Sequence, residues 1–284
     1  MKVKQPTTRI HKRFSELRDS DRGGLITFIT AGDPNLEVST EILAGLPEAG
    51  ADLIEIGMPF SDPMADGPAI QLSSQRALKN GMNLKKTISM VAEFRNYDDT
   101  TPIILMGYYN PIYYYGTESF LLDAKKAGVD GLIIVDLPPE EEDELCIPAL
   151  NAGINFIYLM APTTDDKRLP TILRNASGFL YFVSILGITG TKAAMLDDVK
   201  MHVDRVKLQT DIPIGVGFGI RTAQQAANIS SIVDAVVVGS ALIDVIYKNL
   251  GKNGEVKIGT ASKVLSLVQE LSTAVRSARQ RRSI

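Results

Sequence analysis

Short apolar runs rich in β-branched residues alternate along the chain with amphipathic stretches. Eight such runs can be counted, at 25–30, 53–57, 102–106, 131–136, 156–160, 179–184, 213–217 and 235–239. Most are apolar without interruption, the pattern of parallel strands buried on both faces. Between them lie helical patterns at 37–49, 117–127, 140–151, 222–228 and 262–279. Gly128 and Gly153 follow two of these and suit helix ends. Strand and helix alternating in this way predict a single (β/α)8 TIM barrel of the α/β class. Extra helices are expected before the first run, at 9–19, and after the second, at 69–80. A doubly wound open sheet is the competing architecture. It would want a glycine-rich turn after the first strand, and Ala31-Gly32-Asp33-Pro34 is not G-x-G-x-x-G.

Composition narrows the class without changing it. The 284 residues are 45% hydrophobic and 22% charged, which excludes a disordered chain, a collagen and a coiled-coil rod. No Gly-, Ser- and Pro-rich linker divides the chain, so residues 1–284 read as one barrel domain with short basic ends. Cys146 is the one cysteine, which excludes an internal disulfide framework and a cysteine zinc cluster. A net charge of −3 argues against a nucleic-acid partner. No apolar run approaches the roughly 18 residues of a membrane span, and the N-terminus has no apolar signal region. The expected compartment is the cytoplasm. The basic lead-in before Glu16 leaves room for an organelle address, which would mean the plastid stroma in a photosynthetic eukaryote. Arg276, Arg279, Arg281 and Arg282 read as a solvated helix end.

Barrel chemistry is carried at the C-terminal ends of the strands. After the seventh run stands Gly217-Phe218-Gly219-Ile220, and after the eighth Gly239-Ser240-Ala241 opens a short helix. The loop after the sixth run adds Gly187-Ile188-Thr189-Gly190. Glycines allow close backbone approach, and a helix N-terminus points free N–H groups at an anion. Three such loops at one corner predict a backbone cradle for a phosphate monoester that needs no arginine. Glu55 lies between Ile54 and Ile56 in the second run, where ionisation is costly, which suits a general acid or base. No neighbouring run holds a Lys or Arg to pair with it. Asp62 and Asp66 follow in Pro59-Phe60-Ser61-Asp62-Pro63-Met64-Ala65-Asp66-Gly67. Either could face Glu55, and either could merely form a turn. Asp136 at the fourth strand end reads equally as site scaffold or as helix cap.

The two histidines, His11 and His202, fall away from the mouth, so a histidine metal site or acid–base pair is not expected. No strand end carries a Schiff-base lysine, and no Ser-His-Asp set can be assembled. What remains is carboxylate acid–base chemistry on a phosphate ester. Asp clusters holding Mg²⁺ are the weaker option.

The segment 53–71, LIEIGMPFSDPMADGPAIQ, closely resembles the signature of the tryptophan synthase α chain family. Thr30-Ala-Gly-Asp-Pro34, Met106-Gly-Tyr-Tyr-Asn-Pro111, Ser184-Ile-Leu-Gly-Ile-Thr-Gly190, Gly217-Phe-Gly-Ile220 and Gly239-Ser240 agree in order and spacing, from about Arg9 to the last helix. The resemblance implies a TIM-barrel lyase of tryptophan biosynthesis that cleaves indole-3-glycerol phosphate to indole and glyceraldehyde 3-phosphate. It matches Glu55 to the acid/base and Asp66 to the carboxylate that binds the indole N–H. Thr189 matches the loop residue that orients Asp66 on loop closure. Tyr181 matches an aromatic near the glycerol moiety, and Phe28 part of the indole pocket. Gly190, Gly219, Gly239 and Ser240 match the phosphate cradle, and Phe218 belongs with the substrate-binding set.

Pro59, Asp62, Asn110 and Pro111 match residues that touch a β chain in an allosteric α2β2 heterotetramer. The resemblance implies no cofactor and no metal in this chain, with pyridoxal phosphate only in the partner β chain. Ile185 stands where some members carry Arg, and Thr191-Lys192 follows Gly190 where many place an Arg nearby. These departures bear on loop closure and coupling to the partner. The alternative activity is a stand-alone indole-3-glycerol phosphate lyase that releases free indole. A catalytically idle regulatory subunit and a phosphosugar isomerase fit less well, because Glu55, Asp66 and the glycines are intact and a histidine at the mouth is lacking.

Overall fold

The computed structural model describes residues 6–184, 192–217 and 219–279. The elements run α1 (Arg9–Asp19), β1 (Gly24–Thr30), α2 (Leu36–Ala49), β2 (Leu53–Gly57), α3 (Pro68–Lys79), α4 (Leu84–Phe94), β3 (Ile103–Gly107), α5 (Tyr109–Tyr115), α6 (Thr117–Ala127) and β4 (Gly131–Ile134). They continue with α7 (Cys146–Asn151), β5 (Asn155–Phe156), β6 (Leu159–Met160), α8 (Leu169–Leu173), β7 (Leu180–Val183), α9 (Lys192–Lys207), β8 (Ile214–Gly217), α10 (Ala223–Ser230), β9 (Ala235–Val238), α11 (Ser240–Lys248) and α12 (Thr260–Ser277). The strands pair in parallel in the order β5-β4-β3-β2-β1-β9-β8-β7-β6. α1 and α3 occupy the places expected of the extra helices.

The run at 156–160 is divided. Asn155 and Phe156 pair with β4, and the Ile157 N–H donates to Leu132 O at 2.9 Å. Leu159 and Met160 pair with β7, and the Tyr181 N–H donates to Tyr158 O at 3.0 Å. One bent run thus serves both neighbours, and its two halves join the ends of the sheet into a barrel. The expected helix at 140–151 is also divided, into a 3₁₀ turn at Pro139–Glu141 and the short α7. Pro148 explains the break. Its ring crowds the carbonyl of residue 144 and it has no N–H to give that carbonyl, so a continuous helix upstream of it is disfavoured.

The apolar residues form two layers. Ile26, Leu53, Ile104, Ile133, Phe179 and Ala235 fill the barrel interior with Ile10, Phe14 and Leu17 of α1. α1 therefore plugs the N-terminal end, with Phe14 and Phe179 ring centroids 5.8 Å apart. A larger layer lies between the strands and the surrounding helices. There α12 covers α2. A Cβ at Gly45 would lie 2.4 Å from Leu265, and the Ser272 hydroxyl donates to Gly50 O at 3.1 Å.

The plugged end uses one device three times. Asp52, Asp130 and Asp234 each stand immediately before a strand. Their backbone N–H groups donate to the carbonyls of Leu25, Ile103 and Ile214 at 2.8, 2.9 and 3.2 Å. Their carboxylates accept from the N–H groups of those same residues at 2.9, 3.0 and 2.8 Å. Cations close over the buried pair of acids. Arg22 is bidentate on Asp52, and Arg9 and Arg95 flank Asp130 at 3.1 and 2.9 Å. Otherwise unpaired strand-start N–H groups are satisfied, and the opposite end is left for the site. Among the described residues no helix is long and apolar enough to cross a membrane.

Candidate active site

At the mouth, Phe28, Glu55, Asp66, Tyr181, Gly219, Gly239 and Ser240 line one cavity of about 780 Å³. That volume is the size of a small-ligand site. The sequence placed these residues on six separate segments, and the barrel brings them together.

Glu55 is fully buried. Neither of its carboxyl oxygens has a hydrogen-bond partner among the described residues. Burial pushes its pKa up to about 8, because the charged form finds nothing to replace water. Asp66 is held at the end of the loop that follows β2. Its N–H donates to Pro63 O at 3.0 Å, and the Gln71 amide donates to its carbonyl at 2.9 Å. Pro68 then starts α3 at a position that needs no N–H donor. Burial raises the Asp66 pKa to about 6, opposed by a hydrogen bond from the Tyr108 hydroxyl. That hydroxyl also accepts from the Ala65 N–H at 3.0 Å, so Tyr108 pins the loop and tunes the acid. Tyr181 is buried, and its hydroxyl is pushed well above its usual pKa by burial and by Glu55 and Asp66 nearby.

Three glycines make room for the aromatic wall. A Cβ at Gly57 would lie 2.5 Å from Phe28, one at Gly217 2.4 Å from the Tyr181 hydroxyl, and one at Gly239 3.0 Å from Phe28. Gly217 and Gly239 thus have a packing reason that the glycine pattern did not reveal. Gly219 has φ +80°, which side chains rarely adopt. The carbonyl of Gly239 accepts from the N–H groups of Leu242 and Ile243 in α11 at 2.9 and 3.2 Å, and the start of this helix faces the cavity at Ser240.

Thr189, Gly190 and Phe218 lie outside the described residues. Asp62 and Asn110 are exposed, Pro111 is half-buried and Pro59 is buried. None of these four lines the cavity. Asp136 caps α5, accepting from the Tyr109 N–H at 2.8 Å. His11 lies in α1 at the plugged end, and His202 in α9 packs on Phe182 at 5.7 Å between ring centroids. Among the described residues no three His, Cys, Asp or Glu side chains are grouped as metal ligands.

Sequence reasoning missed Met106, Val237, Ile243, Asp244, Tyr247, Arg221 and Arg76, which also line the cavity. A signal existed for some of them. Ser240, Ile243, Asp244 and Tyr247 are spaced as one face of a helix, and Val237 lies one pleat before Gly239.

The chain is similar to known proteins over almost its whole length. A family model described as tryptophan synthase alpha chain matches residues 14–276. The chain is similar to the tryptophan synthase subunit alpha of Legionella pneumophila str. Paris, with 38% identity and a TM-score of 0.86, over 95% of this chain and 98% of that chain. It is also similar to a chain from Aquifex aeolicus VF5, at 34% identity and a TM-score of 0.85, over 95% of this chain and 100% of that one. A chain of M. tuberculosis tryptophan synthase in its aminoacrylate-bound form gives 31% identity and a TM-score of 0.83, over 95% and 100%. With a family model matched over residues 14–276 and relatives alike over 95% of its length, the chain belongs to the tryptophan synthase alpha chain family.

Proposed function

We propose that Glu55 and Asp66 divide the family's chemistry between them. Members are lyases, and the reaction is the retro-aldol cleavage of indole-3-glycerol phosphate to indole and glyceraldehyde 3-phosphate in tryptophan biosynthesis. The observation that carries the assignment is the contrast between two acids in one cavity. Glu55, raised to about 8, is largely protonated at pH 7, whereas Asp66, raised only to about 6, is largely ionised.

Glu55 gives its proton to indole C3. Asp66 accepts a hydrogen bond from the indole N–H and stabilises the cation that forms. The glycerol hydroxyl next to the scissile bond then returns a proton to the Glu55 carboxylate. The carbon–carbon bond breaks, its electron pair goes back to the ring, and the side chain leaves as the aldehyde. Phe28 and Tyr181 wall the indole and glycerol regions. Backbone groups at Gly219, Gly239 and Ser240 hold the phosphate at the start of α11. Thr189, Gly190 and Phe218 take the roles the resemblance implies, with Thr189 orienting Asp66.

The partner is a tryptophan synthase β chain in an α2β2 assembly, which takes up the indole and carries the pyridoxal phosphate. Pro59, Asp62, Asn110 and Pro111 belong to that contact, and the cytoplasm is the proposed compartment. The test is indole release from indole-3-glycerol phosphate by the purified chain, with and without a β chain. Slow release that rises by orders of magnitude with the β chain supports the reading. Fast release alone, with no response to the β chain, would instead establish the stand-alone lyase.

A further inference from the structure

The phosphate corner holds a charged pair. Arg221 and Asp244 both line the cavity beside Gly219, Gly239 and Ser240. The Arg221 guanidinium donates through one terminal nitrogen, Nη1, to the Asp244 carboxylate. Asp244 is 28% exposed and Arg221 56%. Asp244 stands four residues after Ser240 on α11, hence on the same helix face and about 6 Å away between Cβ atoms. A carboxylate one helical turn from an anion cradle repels the anion it should receive. Arg221 removes that cost. Its Nε and Nη2 have no partner among the described residues, so donors remain for a second anion. Its own backbone N–H is already taken by the Gln225 side chain at 2.8 Å, which fixes the root of the arm at the start of α10. The other cavity-lining arginine, Arg76, is not free in this way, being bidentate on Asp33 at 2.7 and 2.9 Å.

We propose that Arg221 is a phosphate-binding residue of this site, its guanidinium bridging the Asp244 carboxylate and the substrate's phosphoryl oxygens at the backbone cradle. The inference deepens the proposed function and rests on its placement of the phosphate. It replaces a cradle of backbone groups alone with one carrying a cationic arm, a charge-assisted contact that a neutral glycerol cannot make.

The test is calorimetric binding of glycerol 3-phosphate and, separately, of indole to the full chain. Arg221→Ala is expected to weaken glycerol 3-phosphate roughly ten- to hundredfold and to leave indole unchanged. Asp244→Asn keeps the arm and removes the repulsion, so it is expected to bind glycerol 3-phosphate at least as tightly as wild type. Glycerol 3-phosphate bound by wild type and by Arg221→Ala with equal affinity would overturn the role of Arg221 and leave the phosphate corner standing. Wild type that binds indole but not glycerol 3-phosphate would overturn the phosphate corner itself, and the inference with it. A loss in Asp244→Asn equal to that in Arg221→Ala would show that the pair acts as a structural tie, against the proposal.

Discussion

Phe28 stands opposite Glu55 in the parallel register of β1 and β2, so both side chains leave the sheet on the same face and meet in the cavity. The ring thus lies beside a carboxyl group that has no hydrogen-bond partner among the described residues. An apolar neighbour and full burial are the conditions that keep a carboxylic acid protonated near neutral pH.

Glu55 should therefore leave a signature in stability as well as in rate. Its folded pKa, about 8, lies above its ordinary value of 4.5. Its contribution to stability is full below pH 4.5 and is lost as the pH rises through 8. Glu55→Gln should abolish cleavage and flatten this dependence. Over that window, wild-type stability should fall relative to the variant by about 1.4 kcal/mol per pH unit. Urea unfolding of both proteins across the range checks this. Parallel curves would remove the raised acid.

Tyr108→Phe should act through Asp66. It removes the hydrogen bond that favours the Asp66 carboxylate, so the Asp66 pKa should rise above about 6. The acidic limb of the rate profile should move to higher pH, with activity recovering toward pH 8. A uniform loss at all pH values would mean that the hydroxyl serves only to hold Ala65.

Gly217→Ala should injure the site more than the fold. The added methyl would lie 2.4 Å from the Tyr181 hydroxyl and must push the ring aside. Cleavage should fall at least tenfold while the far-ultraviolet circular dichroism is kept. The double variant Gly217→Ala/Tyr181→Phe should regain part of the loss. No regain would place the damage elsewhere.

Asp130→Ala should do the reverse. It removes the carboxylate paired with Arg95, whose side chain is 10% exposed and keeps only its backbone acceptors, and it frees the Ile103 N–H. Loss of one partner from such a pair costs about 3–5 kcal/mol. Urea unfolding should show that loss, with turnover per folded molecule unchanged at the distant mouth. Stability within about 0.5 kcal/mol of wild type would show that the network carries little.

The barrel was legible because its strands are buried on both faces and so stand out as apolar runs. The same feature hid half of the site. In such runs Met106 and Val237, which face the cavity, look like Leu105 and Val236, which face the helices. Glu55 was visible because it breaks the run, and the glycines because they lack side chains. Asp66 could be separated from Asp62 only by resemblance, since both sit in the same turn chemistry. Their environments now differ plainly, with Asp66 in the cavity beside Tyr108 and Asp62 exposed on the loop. The division of the fifth run and the break at 140–151 were not legible. One depends on barrel closure and the other on where the Pro148 ring meets the preceding turn.

The contact between the Ser272 hydroxyl and the Gly50 carbonyl joins the last helix to the first βα unit. Synthesis therefore runs against assembly. β1 and α2 are made early, yet the surface that α12 covers stays bare until that helix has been released. At ribosomal speeds that interval is on the order of tens of seconds. Throughout it, the face of α2 at Gly45, against which Leu265 packs in the finished protein, is exposed for chaperones to meet. The growing chain is most vulnerable at its oldest end.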